Sequence, residues 1–184
     1  LPKQTGSNPD LQPEKSKGYT LGLVVEPVKD LMMSADYWHI EMKDMLANLP
    51  EQVYFLNPEK YASYFVRNAD GSLAYLKNVT MNLGGQKASG IDVSLSYAFP
   101  KTALGNFKAQ LDGTYLTQFD NQLEADGPYI PNVGRFGAAS NGTTSSMPII
   151  TFRWKHTLTL SWNRADWASQ LTQNFNTGYH DQNL

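Results

Sequence analysis

Cysteine is absent from the 184 residues, which excludes a disulfide framework and any cysteine-based zinc or redox site. No apolar run approaches the roughly 20 residues that a membrane-crossing helix needs. Basic residues are not in excess either. Lys and Arg number 15 against 17 Asp and Glu, a formal net charge of -2, which with no Lys/Arg cluster argues against a nucleic-acid partner. The opening Leu1-Pro2-Lys3-Gln4-Thr5-Gly6 lacks the apolar core of a secretory leader. No nucleophile elbow, Gly-rich phosphate loop or HExxH helix occurs, so neither an enzyme nor a cofactor is expected. His39 and Glu41 share strand parity but have no third candidate metal ligand beside them, and they read as polar residues at a rim.

What is present is order. The hydrophobic share of 41% and charged share of 17% match a soluble protein on average. They also fit a transmembrane β-barrel, where only alternate residues meet lipid. Along residues 90 to 99, Ile91, Val93, Leu95, Tyr97 and Phe99 fall on one face, opposite Gly90, Asp92, Ser94, Ser96 and Ala98. A strand separates these sets; a helix scatters them. The alternation recurs at Phe107, Ala109, Leu111, Gly113, Tyr115 and Phe119, and again at Phe152, Trp154, His156, Leu158, Leu160 and Trp162. It recurs also at Trp167, Leu171, Phe175 and Tyr179, and at Tyr19, Leu21, Leu23 and Val25.

One segment breaks phase. Leu31, Met33, Ala35 and Tyr37 keep one parity, whereas Trp38, Ile40 and Met42 continue on the other. Either a bulge or a strand rising out of the membrane produces this pattern. Aromatic residues gather toward segment ends, as girdles at the edges of a lipid layer do. Short links at 27–30, 100–105 and 164–166 alternate with long stretches at about 47–88 and 120–148, the expected arrangement of periplasmic turns and outer loops. In the first long stretch, Asn57-Pro58-Glu59-Lys60 predicts a helix start, Leu73 to Met81 an extended piece, and Gly84-Gly85 a turn.

Several strings carry a resemblance. Asn8-Pro9-Asp10-Leu11-Gln12-Pro13-Glu14-Lys15-Ser16 followed by Tyr19-Thr20-Leu21-Gly22, then Asp36-Tyr37-Trp38, Asn82-Leu83-Gly84-Gly85 and Ser89-Gly90-Ile91-Asp92-Val93, stand in an order similar to the C-terminal part of TonB-dependent outer-membrane receptors. The resemblance covers nearly the whole chain, 1–184. It implies an all-β, antiparallel transmembrane barrel segment, about six strands of a barrel of about 22, with plug domain and terminal strands lying elsewhere. It further implies active uptake of a scarce nutrient, a ferric siderophore foremost, across the bacterial outer membrane. The implied partners are outer-membrane lipid, the receptor's own plug, the TonB energy complex and a small-molecule ligand. A passive porin and a soluble β-sheet binding module are the alternatives.

Two residue sets follow. Asp36, Asp92, Lys108, Asp112, Arg153 and Lys155 carry charge on the polar parity of their segments. A Lys or Arg facing hydrocarbon near the midplane costs about 2–4 kcal/mol, so these belong to the lumen. Tyr54, Phe55, Tyr61, Tyr64 and Phe65 in one outer loop, and Tyr129, Arg135 and Phe136 in the other, are candidate ligand contacts.

Overall fold

A computed structural model describes residues 3, 4, 6, 8–136 and 150–181; residues 137–149 of the second long connection and the last three residues are among those outside that set. Six long strands form an antiparallel meander in chain order: β1 (Lys15–Val28), β2 (Leu31–Lys43), β3 (Gln86–Ala98), β4 (Asn106–Gln122), β5 (Trp154–Arg164) and β6 (Trp167–Asn176). A short strand, Tyr129–Pro131, adds to the end of β4. Among the described residues, β1 and β6 each pair on one side only, so the sheet is open at both edges.

Cross-strand register shows why the alternation matters. One row runs Val25, Met33, Leu95, Leu111 and Leu158; the next runs Leu23, Ala35, Val93, Gly113 and His156. Between them, on the other face, runs Val24, Ser34, Ser94, Asp112, Thr157 and Asn174. The apolar rows cover nothing: Leu21 is 76% exposed and Leu171 68%. In a barrel that face meets lipid.

Two-residue links at Lys29–Asp30 and Ala165–Asp166 join β1 to β2 and β5 to β6. Asp30 adopts φ 65 and Ala165 φ 48, left-handed values that Asp tolerates better than Ala. At the opposite end the first long connection is a small folded unit. Leu49, Tyr54, Tyr61, Leu76 and Leu83 pack together as a buried cluster, with Val53, Tyr64, Phe65 and Leu123 against it. The conventional hydrophobic core of this chain thus sits in a loop, not in the wall.

Three sequence expectations require correction, and one choice left open by the sequence is narrowed. The phase break in β2 is not a bulge, because Leu31 through Met42 pair with β3 without a shift; Trp38, Ile40 and Met42 share the face of Asp36. The bulge lies instead in β4. Ser89 pairs with Gln118 and Gly90 with Leu116, leaving Thr117 extra and carrying Phe119 to the polar-side face, opposite to its expected facing. The helix start predicted at Asn57 yields only turns and a 3-10 turn at Ala62–Tyr64; the α-helix, α1 (Glu51–Leu56), lies before it and Asn57 terminates it at φ -131 and ψ 58, because a residue before proline is driven out of the helical region. Gly84-Gly85 is extended chain, not a turn. Gly85 exchanges backbone hydrogen bonds with Gln122 at 3.1 and 2.7 Å, and a Cβ on Gly85 would stand 2.3 Å from the Met42 carbonyl oxygen.

Two-sidedness gives a direct test. In the folded barrel, Leu158→Arg is expected to cost about 2–4 kcal/mol, whereas Thr159→Arg, one residue along on the other face, costs under about 1 kcal/mol, as an open surface site does. Denaturant unfolding from lipid vesicles measures both, and equal costs would refute the assignment of faces.

Candidate functional site

The polar face carries two adjacent rows that meet in a shallow depression of about 580 Å³. The first row runs Gly22, Asp36, Asp92, Thr114, Lys155 and Asn176 across all six strands. Asp36 and Asp92 stand directly opposite each other, an arrangement that like charges disfavour. Gly22 relieves it. A Cβ there would fall 2.0 Å from Asp36 Oδ1, so the carboxylate leans over the glycine and away from Asp92. The Thr114 hydroxyl donates to Asp92 Oδ1 at 2.7 Å, the Ser94 hydroxyl to Asp112 Oδ1 at 2.7 Å, and Gln110 Nε2 to Asp112 Oδ2 at 2.8 Å.

Neutral donors therefore hold these carboxylates. Among the described residues no ion pair is formed by Asp36, Asp92 or Asp112, and Lys155 occupies the same row two strands from Asp92. Lys108 lies on the same face but lower, paired with Ala98 and Ser161 near the short links. Arg153 precedes β5, exposed, its carbonyl accepting the Leu116 N–H at 2.8 Å. Above the carboxylate row the same face turns apolar with Trp38, Ile40, Met42, Leu116 and Phe119. The inner surface is thus two-tiered: polar below, apolar beneath the long connections.

The candidate loop residues separate into four groups. Tyr54 is wholly buried and Tyr61 nearly so, their rings 5.1 Å apart, with Tyr64 5.5 Å from Tyr54. Their rings build the loop core and present little surface to a ligand, because each buries more area against its neighbours than it leaves to solvent. Phe65 packs on Phe55 at 5.4 Å, and Phe55 stays 47% exposed. Tyr129, paired with Gln122 beyond the bulge, stands on the apolar side of the wall, with Lys87 Nζ 4.4 Å above its ring. Arg135 and Phe136 pair in parallel with His180 and Asp181, and Phe136 packs on Tyr179 at 5.8 Å.

Two clamps escaped the sequence reading. Asn82 receives the Gln12 N–H on Oδ1 at 2.8 Å and donates through Nδ2 to the carbonyls of Gln12 and Asp44 at 2.8 and 2.7 Å. One side chain thus ties the segment before β1, the start of the first long connection and its end. Lys60 bridges the two long connections, paired with Glu124 and with Asp126 at 3.6 Å. Neither has a periodicity; both depend on residues far apart in sequence. Among the described residues no group of three metal-ligating side chains occurs. His39 stacks on Tyr19 at 5.0 Å and Glu41 pairs with Lys43 and Lys87.

Burial, foremost, pushes both Tyr54 and Tyr61 up to about 12; the Tyr64 ring adds to the first, and a hydrogen bond to Glu124 to the second. A raised folded value means that the neutral phenols stabilise the loop below the ordinary tyrosine value of 10.0, and that this stability is lost as pH rises from there through about 12. Limited proteolysis within 44–85 is expected to accelerate over that window while the wall stays resistant. For Asn82→Ala, loss of three hydrogen bonds at about 1 kcal/mol each should raise amide exchange at Gln12, with exchange in β3 unchanged. Unaltered exchange at Gln12 would remove the clamp.

A search of curated proteins finds no match. A family model described as TonB dependent receptor-like, beta-barrel matches residues 2–183. With strand lengths, two-faced register, short turns and long connections all of that kind, the chain belongs to the TonB-dependent receptor-like β-barrel family, which serves nutrient uptake across the bacterial outer membrane.

Proposed function

We propose that this chain forms part of the wall and outer loops of an active importer of a scarce nutrient, a ferric siderophore foremost. The observation that carries the reading is the inverted placement of apolar side chains: they are exposed along the wall and buried in the loop. A wall of that kind is stable only in hydrocarbon, with its edges closed by further strands.

In this reading Asp36 and Asp92, in one row, and Asp112, in the row beside it, face the plug. The Asp92 and Asp112 carboxylates, held by neutral donors, and that of Asp36 form no ion pair among the described residues, which suits charge-assisted hydrogen bonds from Lys or Arg side chains of a plug seated in the lumen. Lys155, Lys108 and Arg153 supply the opposite charge on the same inner wall. The TonB complex acts on the plug, so the wall is the fixed surface against which the plug moves. Phe55, Arg135 and Phe136, on the outer side, take the ligand-contacting role, while Tyr54 and Tyr61 keep the loop in shape.

Two experiments test this. In a strain whose other siderophore receptors are removed, deletion of the gene is expected to abolish ferric siderophore uptake under iron limitation; unchanged uptake would refute the ligand class. Asp92→Lys in the complete receptor is expected to lower uptake by at least about tenfold, as loss of a buried charge pair does. Asp92→Asn, which keeps the hydrogen bonding, should lower it less. Equal effects of the two variants would show that charge at this row is immaterial.

A further inference from the structure

Because the six strands run as a meander, the three short links stand side by side at one end of the wall. Two of them are tied to their neighbours. The Ala98 N–H donates to the Asp30 carbonyl at 3.0 Å, and Trp162 Nε1 donates to the Leu104 carbonyl at 2.7 Å. Between the tied links lies a groove of about 700 Å³. Its charged members are Lys29, Lys101 and Lys108 against one carboxylate, Asp30. Among the described residues no carboxylate lies within ion-pair range of these three ammonium groups. Glu26, Arg164 and Asp166 stand at the same end, outside the lining.

A second depression, of about 510 Å³, adjoins the groove and shares Phe99, Pro100, Phe107 and Lys108 with it. Leu160 extends its apolar lining. The Tyr97 ring meets Phe99 edge-on at 4.6 Å and holds it in place. The Thr102 hydroxyl, also in the lining, donates to the Gly105 carbonyl at 3.0 Å within its own link. Together the two depressions pass beneath the strand ends from one face of the wall to the other. Lys108 and Asn106 have the facing of the polar rows, Tyr97 and Phe107 that of the apolar rows. Lys29 and Lys101 belong to the links themselves.

We propose that this end of the wall docks an acidic segment of a partner protein. One apolar side chain enters the depression over Phe99, Phe107 and Leu160, and carboxylates flanking it meet Lys29, Lys101 and Lys108. Two features select a polypeptide. A sugar would turn its hydroxyls toward an apolar lining, at a cost in lost hydrogen bonds. A lipid headgroup stays on one face of the wall, whereas the ammonium groups are spread from the links to the polar face. An extended peptide spaces its side chains by about 3.3 Å per residue and reaches both. The tied links leave little to order on binding, which favours a preformed site. That the partner is periplasmic rests on the wall reading above; the docking itself goes beyond it.

The test uses the full-length receptor in detergent and a short labelled peptide carrying one phenylalanine between glutamates, followed by fluorescence anisotropy. The Lys29→Gln/Lys101→Gln variant is expected to bind the peptide about tenfold more weakly than wild type at low salt, the upper range for two exposed ion pairs. Added salt should bring wild type toward the variant. Alanine in place of the peptide's phenylalanine should weaken binding to both proteins. Absent binding by wild type overturns the proposal, as do equal binding by wild type and variant and an unchanged affinity of the alanine peptide. Displacement of the peptide by an equal concentration of phosphatidylglycerol would assign the groove to lipid and overturn a polypeptide occupant. The shift in gel mobility between unheated and heated samples reports barrel folding, and no nutrient enters the assay. A failure of the barrel reading or of the ligand class therefore shows separately.

Discussion

Hydrocarbon offers no partner to a backbone N–H or C=O, so a chain that crosses it as strands must satisfy every such group within the sheet. Most of this structure follows from that requirement. Six strands of ten to seventeen residues run as an uninterrupted antiparallel ladder whose register shifts lie toward its ends. One shift is at Val25–Val28 beside a turn, the other at Thr117 toward the long connections. A shift in the middle would strand polar groups in lipid. At the ends, water and headgroups can satisfy whatever a bulge leaves unpaired.

The same requirement separates two kinds of hydrophobic stabilisation in one chain. The wall keeps its large side chains outward, where lipid rather than protein surrounds them. The first long connection, in water, folds as small soluble domains do, by gathering Leu49, Tyr54, Tyr61, Leu76 and Leu83 out of solvent. Asn82 and Lys60 then bind that unit to the strand ends and to its neighbouring loop. A rigid wall and a loop with its own core are complementary. The wall resists deformation, and the loop can hold an outer surface without relying on the sheet beneath it.

The inner face shows how register turns composition into function. Because β2 does not bulge, Trp38, Ile40 and Met42 stay on the side of Asp36; because β4 does, Phe119 joins them. Carboxylates therefore occupy one depth of the polar face, and apolar groups the depth nearer the long connections. On the other side of the same strands the apolar rows give way to lysines and carboxylates. Each face changes character at its own height, and β1 to β4, of 13 to 17 residues, are longer than the roughly 9–11 residues that the lipid layer requires, so they serve both zones.

Sequence alone determined the class of structure, because period-2 alternation is local and every strand of a two-sided sheet must display it. The strands, the short turns and the facing of Asp36, Asp92 and Asp112 were legible for that reason. The facing of Phe119 was not, since one extra residue in a partner-paired strand inverts everything beyond it and leaves no local mark. Nor were the roles of Tyr54 and Tyr61: loop aromatics look the same whether they await a ligand or one another. The Asn82 and Lys60 clamps join residues 38 to 70 positions apart. Such pairings arise only when the folded backbone brings distant segments together, so the tertiary structure alone decided them.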